Sequence, residues 1–333
     1  MADALISPAI GGAAWAVSAA AVAYSTVKIK NELGEKKIPL MAVAGAFVFA
    51  AQMINFTIPA TGSSGHIGGG ILLSGLLGGF PALLTIAAVL VIQCLFFADG
   101  GLLALGCNIF NMGVIPCLVV YPLIFKPILS RGYNVQRISA VAILSAVLGL
   151  QLGAFAVVLE TLFSGITALP FSTFVLLMQP IHLAIGIVEG IITAAVLNFV
   201  FAMRPEILES SGAGTPLQGV PVKKVIVTFV VITVLVGGIL SIFASAYPDG
   251  LEWAIGRTAG TDELEADGPV FQSVAAAQEA TAIMPDYGFA GDEESSPAGT
   301  AVAGIAGSLL TCVLAGAAGL VIRQVKKGKV KAA

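Results

Sequence analysis

The chain has 333 residues, 57% of them hydrophobic and 11% charged, with a formal net charge of -3. A soluble globular chain carries about 45–50% apolar and roughly 25% charged residues. The composition therefore excludes a soluble enzyme, a nucleic-acid binder and a disordered chain, and it fits a membrane protein.

One membrane crossing takes about 20 mostly apolar residues. In chain order the predicted spans are 10–27, 38–56, 67–79, 81–97, 102–125, 138–163, 171–203, 225–246 and 301–322, the third of them short and the seventh interrupted by Pro180. The fold class expected is an all-α integral membrane protein: a seven-span bundle plus two further C-terminal spans. Lysine and arginine are retained on the cytoplasmic side. With the N-terminus outside and the C-terminus cytoplasmic, every basic residue except Arg257 falls on that side. These are Lys28, Lys30, Lys36 and Lys37; Lys126, Arg131 and Arg137; Arg204, Lys223 and Lys224; and Arg323, Lys326, Lys327, Lys329 and Lys331. The first span has no basic region before it, so it does not read as a cleaved signal peptide. Three parts follow: a membrane unit 1–204, a polar linker 205–224 and a two-span unit 225–333. The last holds an outer segment, 247–300, with eleven acidic residues from Asp249 to Glu294 and few large apolar ones. That segment is expected to be only partly ordered by itself and to attract divalent cations to the outer face.

Polar groups inside a bilayer are costly and usually paired or functional. Gln52, Asn55, His66, Gln93, Asp99, Asn108, Asn111, Glu160, Gln179, His182 and Glu189 all fall in the outer halves of the spans or just beyond them. The pattern describes a cup opening outward. The loop 57–70 sets His66 among glycines and serines, where it reads either as a solvated side chain or as an imidazole ligand for a transition metal. His182, Gly186 and Glu189 share a helix face, as a second polar site or relay or as a buried His–Glu pair. Ala42, Ala46 and Ala50 form a small-residue face that lets another helix pack close, either one of the same chain or one of another subunit, and contact with another subunit is the expectation. The four cysteines lie in apolar runs and read as packing residues. No phosphate-binding loop, H-E-x-x-H or G-x-S-x-G is present. An ATPase, a membrane protease or an esterase therefore lacks its usual parts.

The runs PLMAVAGAFVFAAQMINF at 39–56, SSGHIGG at 63–69, FADGGLLALGCNIFNMG at 97–113 and HLAIGIVEG at 182–190 resemble the CbiM/NikM family. Its members are the substrate-binding components of energy-coupling-factor transporters for cobalt and nickel. PDGLEW at 248–253 and PDYGF at 285–289 resemble the small two-span accessory component of the same systems. The resemblance implies a non-catalytic subunit with no resident cofactor, carrying Co²⁺ or Ni²⁺ as cargo in a prokaryotic cell membrane. It implies as partners a transmembrane coupling subunit and two ATPase subunits that hydrolyse the ATP. Nitrogen donors hold the ion in the family: the N-terminal amine, the backbone and imidazole of a histidine at residue 2, and a loop histidine. The last maps to His66 and the first to Met1, with Asn55, Ser64, Asn108, His182 and Glu189 as residues around them. Residue 2 here is Ala2, where the family has histidine. The chain is therefore expected to start two codons late, the full N-terminus reading Met-His-Met-Ala-Asp. Competing readings are an autonomous divalent-cation channel or secondary carrier, which would need polar groups in the inner halves of the helices, and a membrane metalloenzyme, which would need more ligands and a base near His66. Cobalt and nickel stay equivalent at this level.

Overall fold

The computed structural model describes all residues except 30–33, 168, 218, 262, 263, 265, 290–295, 332 and 333, and for 326–331 the backbone alone. Lys30, Asp262, Glu263, Glu265, Asp292, Glu293 and Glu294 of the charge pattern lie outside the described residues, as do the side chains of Lys326, Lys327, Lys329 and Lys331.

The chain is almost wholly helical. Helix α1 (Pro8–Lys28) opens on the Ser7 side chain, which accepts from the Ile10 amide, and on Pro8 in its first turn. Helix α2 (Lys37–Gln52) leads to a two-stranded hairpin, β1 (Phe56–Ile58) and β2 (Ser63–Gly65). Then come α3 (Gly70–Leu77), α4 (Gly79–Phe97) and α5 (Leu105–Leu129). Between Phe110 and Phe125 α5 is wound as a π-helix, with Pro116 and Pro122 inside it. Each proline removes a backbone donor. Helix α6 (Val135–Ser164) is capped by Asn134, whose Oδ1 accepts from the Arg137 amide at 2.8 Å. It packs along α7 (Phe171–Met203). There Gly186 and Gly190 meet Val147 and Ile143. Pro180 lies inside α7 without dividing it. The rest are α8 (Pro205–Ala213), α9 (Lys223–Gly238), α10 (Gly250–Ala259), α11 (Pro269–Glu279) and α12 (Pro297–Lys331).

Among the described residues six helices are long and apolar enough to cross a membrane: α1, α4, α5, α6, α7 and the Pro297–Val325 part of α12. Helices α2 and α9 have 16 residues each, about 24 Å at 1.5 Å per residue. The predicted third span differs more. It is an eight-residue helix, buried at every position, and reaches only about 12 Å. Gly69 (φ 79°) and Gly78 (φ 90°) turn the chain sharply at its two ends. Below it sits α8. The Ser211 hydroxyl donates to the carbonyls of Ser74 (3.1 Å) and Gly75 (2.8 Å), and Tyr121 OH donates to the Ser211 carbonyl. The Gly75 carbonyl, at the end of α3, is thereby satisfied.

Helix α2 is buried along its whole length except at Pro39 and Ala51. Helix α4 covers one side, and α9 and α12 cover the other. Ala42 faces Gly316, and Ala50 faces Gly237. The small-residue face expected to meet another subunit is thus occupied by the C-terminal helices of the same chain. Helices α9 and α12 also touch backbone to backbone, with no room for a Cβ at Gly304 against the Gly237 carbonyl.

The two ends of the bundle differ in charge. At one, Lys37 Nζ donates to the Thr215 carbonyl and Arg323 pairs with Glu35. The other carries the N-terminus, the hairpin, the α4–α5 turn and the outer segment. The described residues of that segment are tied to the bundle at several points. Gln278 Nε2 donates to the carbonyls of Cys94 (2.9 Å) and Gly100 (2.8 Å). The amides of Ile283 and Met284 donate to the Phe96 carbonyl. Tyr287 stacks on Phe97 and its hydroxyl donates to Asp99. Burial and the neighbouring Asp99 charge push the Tyr287 phenol well above its usual range, so it stays a donor.

Candidate metal centre

The hairpin pairs Phe56 with Gly65, Thr57 with Ser64 and Ile58 with Ser63. Positive φ at Ala60 and Gly62 turns its tip. It delivers the chain into the loop 66–69, which runs between α2 and α7. The Gly68 amide donates to Glu189 Oε2 (2.9 Å) and the Gly69 amide to Glu189 Oε1 (3.0 Å). From the other side Gln52 Nε2 donates to the Gly68 carbonyl (2.9 Å), and Gln93 Nε2 donates to Gln52 Oε1 (3.1 Å). His66 is half-buried, with Nδ1 3.1 Å from the Ile67 carbonyl. In the tautomer that bonds there, Nε2 keeps its lone pair for a ligand.

Met1 is held nearby. Its carbonyl accepts from the Gly101 amide (3.1 Å) and from Asn108 Nδ2 (3.4 Å). Asp3 Oδ1 accepts from the Ala104 amide (2.8 Å). Leu5 and Ile6 anchor this strap by burial. Met1, Asn55, His66 and Asn108 line one open cleft of about 830 Å³, and Asp99, Asp249, Glu252 and Asp286 lie along the same cleft. A second pocket of about 130 Å³ shares Met1, His66, Asn108 and Asp249 with it and is also bounded by Asn111, His182 and Glu189. Among the described residues no three His, Cys, Asp or Glu side chains are grouped to hold a metal ion. A transition metal here would draw on His66 together with amine or main-chain nitrogen.

The outer segment closes over the hairpin. The Ser245 amide donates to the Asn55 carbonyl (2.8 Å), the Ser64 amide to the Pro248 carbonyl (2.8 Å) and the Ser64 hydroxyl to the Tyr247 carbonyl (2.7 Å). Trp253 Nε1 donates to the Thr61 carbonyl (3.1 Å). Asp249 Oδ1 caps α10 through the amides of Leu251 and Glu252, and Glu252 Oε2 accepts the Asp249 amide in return. This is a capping box. Gly250 brings the helix start onto α7, where an added Cβ would stand 3.0 Å from Ile185 and 3.2 Å from His182. Burial, and next the Asp249 charge, push the Glu252 carboxyl above its usual range.

The residues singled out in the sequence therefore divide. His66, Met1, Asn55 and Asn108 share the cleft. The Ser64 hydroxyl is turned to the outer segment. The expected His182–Glu189 pair does not form: His182 Nδ1 lies 2.8 Å from the Met178 carbonyl, and Glu189 holds the loop amides. Gln179 exchanges bonds with Gln151, and Glu160 accepts from Asn111, as contacts between helices. Sequence reasoning did not single out Gln278, or the box formed by Asp249 and Glu252. The D-x-x-E spacing ahead of an apolar turn is the signal that marks the latter.

Residues 1–207 match the family described as the cobalt uptake substrate-specific transmembrane region, CbiM, and residues 223–324 match the PDGLE domain. A chain of Archaeoglobus fulgidus that bears the name of a fused nickel transport protein, NikMN, is 31% identical over 94% of this chain and 95% of its own length. A chain of Haloquadratum walsbyi named as a metal transport protein is 35% identical over 62% of this chain and 91% of its own. The crystal structure of a truncated transition metal transporter matches with a TM-score of 0.54 at 28% identity, covering 61% of this chain and 98% of that one.

Proposed function

Because the chain belongs to the CbiM family, with a PDGLE domain joined behind it, we propose that this multi-pass membrane protein is the subunit that captures Co²⁺ or Ni²⁺ outside the cell for an energy-coupling-factor importer. Residues 1–204 form the ion-binding unit, 205–224 the cytoplasmic linker and 225–333 the accessory unit. The cleft opens outside a prokaryotic cell membrane, and the end that carries Lys37 and Arg323 faces the cytoplasm. A transmembrane coupling subunit and two ATPase subunits supply the energy, and the chain itself catalyses nothing. His66 Nε2 and the Met1 amine are the nitrogen donors, a set that suits Ni²⁺ or Co²⁺ over the oxygen-seeking Mg²⁺ and Ca²⁺.

The observation that carries this reading is the convergence of Met1 and His66 on one cleft with four carboxylates along it. Titration of the purified chain with NiCl₂ and CoCl₂ at neutral pH tests it. His66→Ala is expected to weaken both ions by about tenfold or more, 1.4 kcal/mol per decade. Unchanged affinity would move the site elsewhere in the cleft. Vesicles holding this chain without partner subunits are expected to take up neither ion, whereas a channel or secondary carrier would do so.

A further inference from the structure

Two successive backbone amides that point the same way form a cradle for an anion. Gly68 and Gly69 make such a cradle directly after His66 and Ile67, and Gly69 has the positive φ that shapes it. The acceptor in it belongs to the chain: both oxygens of Glu189, on α7, accept these amides. The loop is gripped on its opposite side by Gln52, which Gln93 orients in turn. Neither glycine leaves slack. A Cβ at Gly68 would stand 3.3 Å from Glu189 Oε2, and one at Gly69 would stand 2.5 Å from Val48. One residue before His66, a Cβ at Gly65 would stand 2.5 Å from Ile185, also on α7. The position of the imidazole is thus fixed by α7, through a carboxylate whose two oxygens are both engaged by the backbone.

We infer that Glu189 is the positioning residue of the metal site: it does not ligate the ion, and it sets the ion affinity by holding the Gly68–Gly69 amides so that His66 is presented to the cleft. The inference rests on the reading of His66 as an ion ligand. Groups that orient a metal-binding histidine are worth about 10- to 100-fold in affinity. Glutamine at 189 keeps the shape and one acceptor but turns an N–H group toward one of the two amides.

The test is a double-mutant cycle on the full-length chain, titrated with Ni²⁺ and Co²⁺: wild type, Glu189→Gln, His66→Ala and the pair. Glu189→Gln is expected to weaken both ions by about 10- to 100-fold and to add nothing on top of His66→Ala. Losses that add in full would make Glu189 an independent contributor and overturn the inference. So would wild-type affinity in Glu189→Gln. A wild-type chain that binds neither ion would sink the proposed function, and this inference with it. Should Glu189→Gln fail to fold, Gln52→Leu loosens the loop from the other side and is expected to weaken binding in the same non-additive way, with additive or absent loss again counting against the idea. Co²⁺ absorption adds a readout that a general packing role would not move: the ligand-field band lost in His66→Ala is expected to be weakened or shifted in Glu189→Gln.

Discussion

At the scale of single residues, the proposed donors include one imidazole, that of His66. Residue 2 is an exposed alanine beside Met1. An amine, the next backbone nitrogen and the imidazole of that same residue can close fused chelate rings on one ion. Extending the chain by Met-His ahead of Met1 is therefore expected to tighten Ni²⁺ and Co²⁺ binding by about tenfold or more, measured by competition against a chromogenic chelator, and His66→Ala should weaken the extended chain too. A second residue prediction concerns Glu252. Its folded-state carboxyl lies above the ordinary value of 4.5, from burial first and the Asp249 charge second. The folded chain then holds the proton more tightly than the unfolded one. The stability this contributes is complete below pH 4.5 and is lost as pH rises through the folded value. The grip of α10 on the hairpin is expected to loosen over that window, as read by Trp253 emission in a Trp15→Phe background. Glu252→Gln should flatten the profile, and an unchanged profile in that variant would assign the pH dependence elsewhere. Much at this scale was legible beforehand. An isolated histidine among glycines, next to polar residues at the helix ends, needs no structure to be noticed. The work of Ser64 and Glu189 was not legible, because a hydroxyl or carboxylate looks the same whether it binds an ion or a main-chain amide more than 100 residues away.

At the scale of elements, α2 is the pivot of the packing. Its composition gave its burial away, since every position from 38 to 51 is apolar or glycine. What covers it did not follow from composition, because the spacing of Ala42, Ala46 and Ala50 says that something comes close and not what. The answer lies in glycines far along the chain, at 237 and 316. Ala50→Leu is expected to drive α9 and α12 outward and to lower stability by about 1–3 kcal/mol. Thermal unfolding in detergent checks this, and a midpoint equal to wild type would mean that the contact is slack. The same glycines explain how 16 residues suffice for α2: it sits inside a sheath to which α9 and α12 contribute. Helix α3 shows the opposite failure of hydropathy. Thirteen apolar or small residues read as a short span, yet the backbone turns at Gly69 and Gly78 divide it, and a window average does not see dihedral angles.

At the scale of the whole molecule, the accessory unit touches the ion-binding unit in two separate ways. Helices α9 and α12 sheathe α2, while the outer segment grips both the hairpin and the α4–α5 turn, hence both proposed donors. Cutting the chain between 214 and 222 is expected to leave the two pieces co-purifying in mild detergent, and their separation would mean that the linker alone keeps them together. The carboxylates along the cleft give a further expectation. Fields of exposed charges fade beyond about 10 Å at 0.1 M salt, so Asp286→Asn should slow ion capture at low ionic strength and leave it unchanged at high. Stopped-flow capture at two salt concentrations measures this. One last consequence concerns α3. Gly70 and Ile71 line the smaller pocket, and α3 ends about 12 Å further on. Against its far end lies α8, held there by the hydroxyl of Ser211. The peptide that joins the two units is therefore also a prop for a helix too short to cross a membrane by itself.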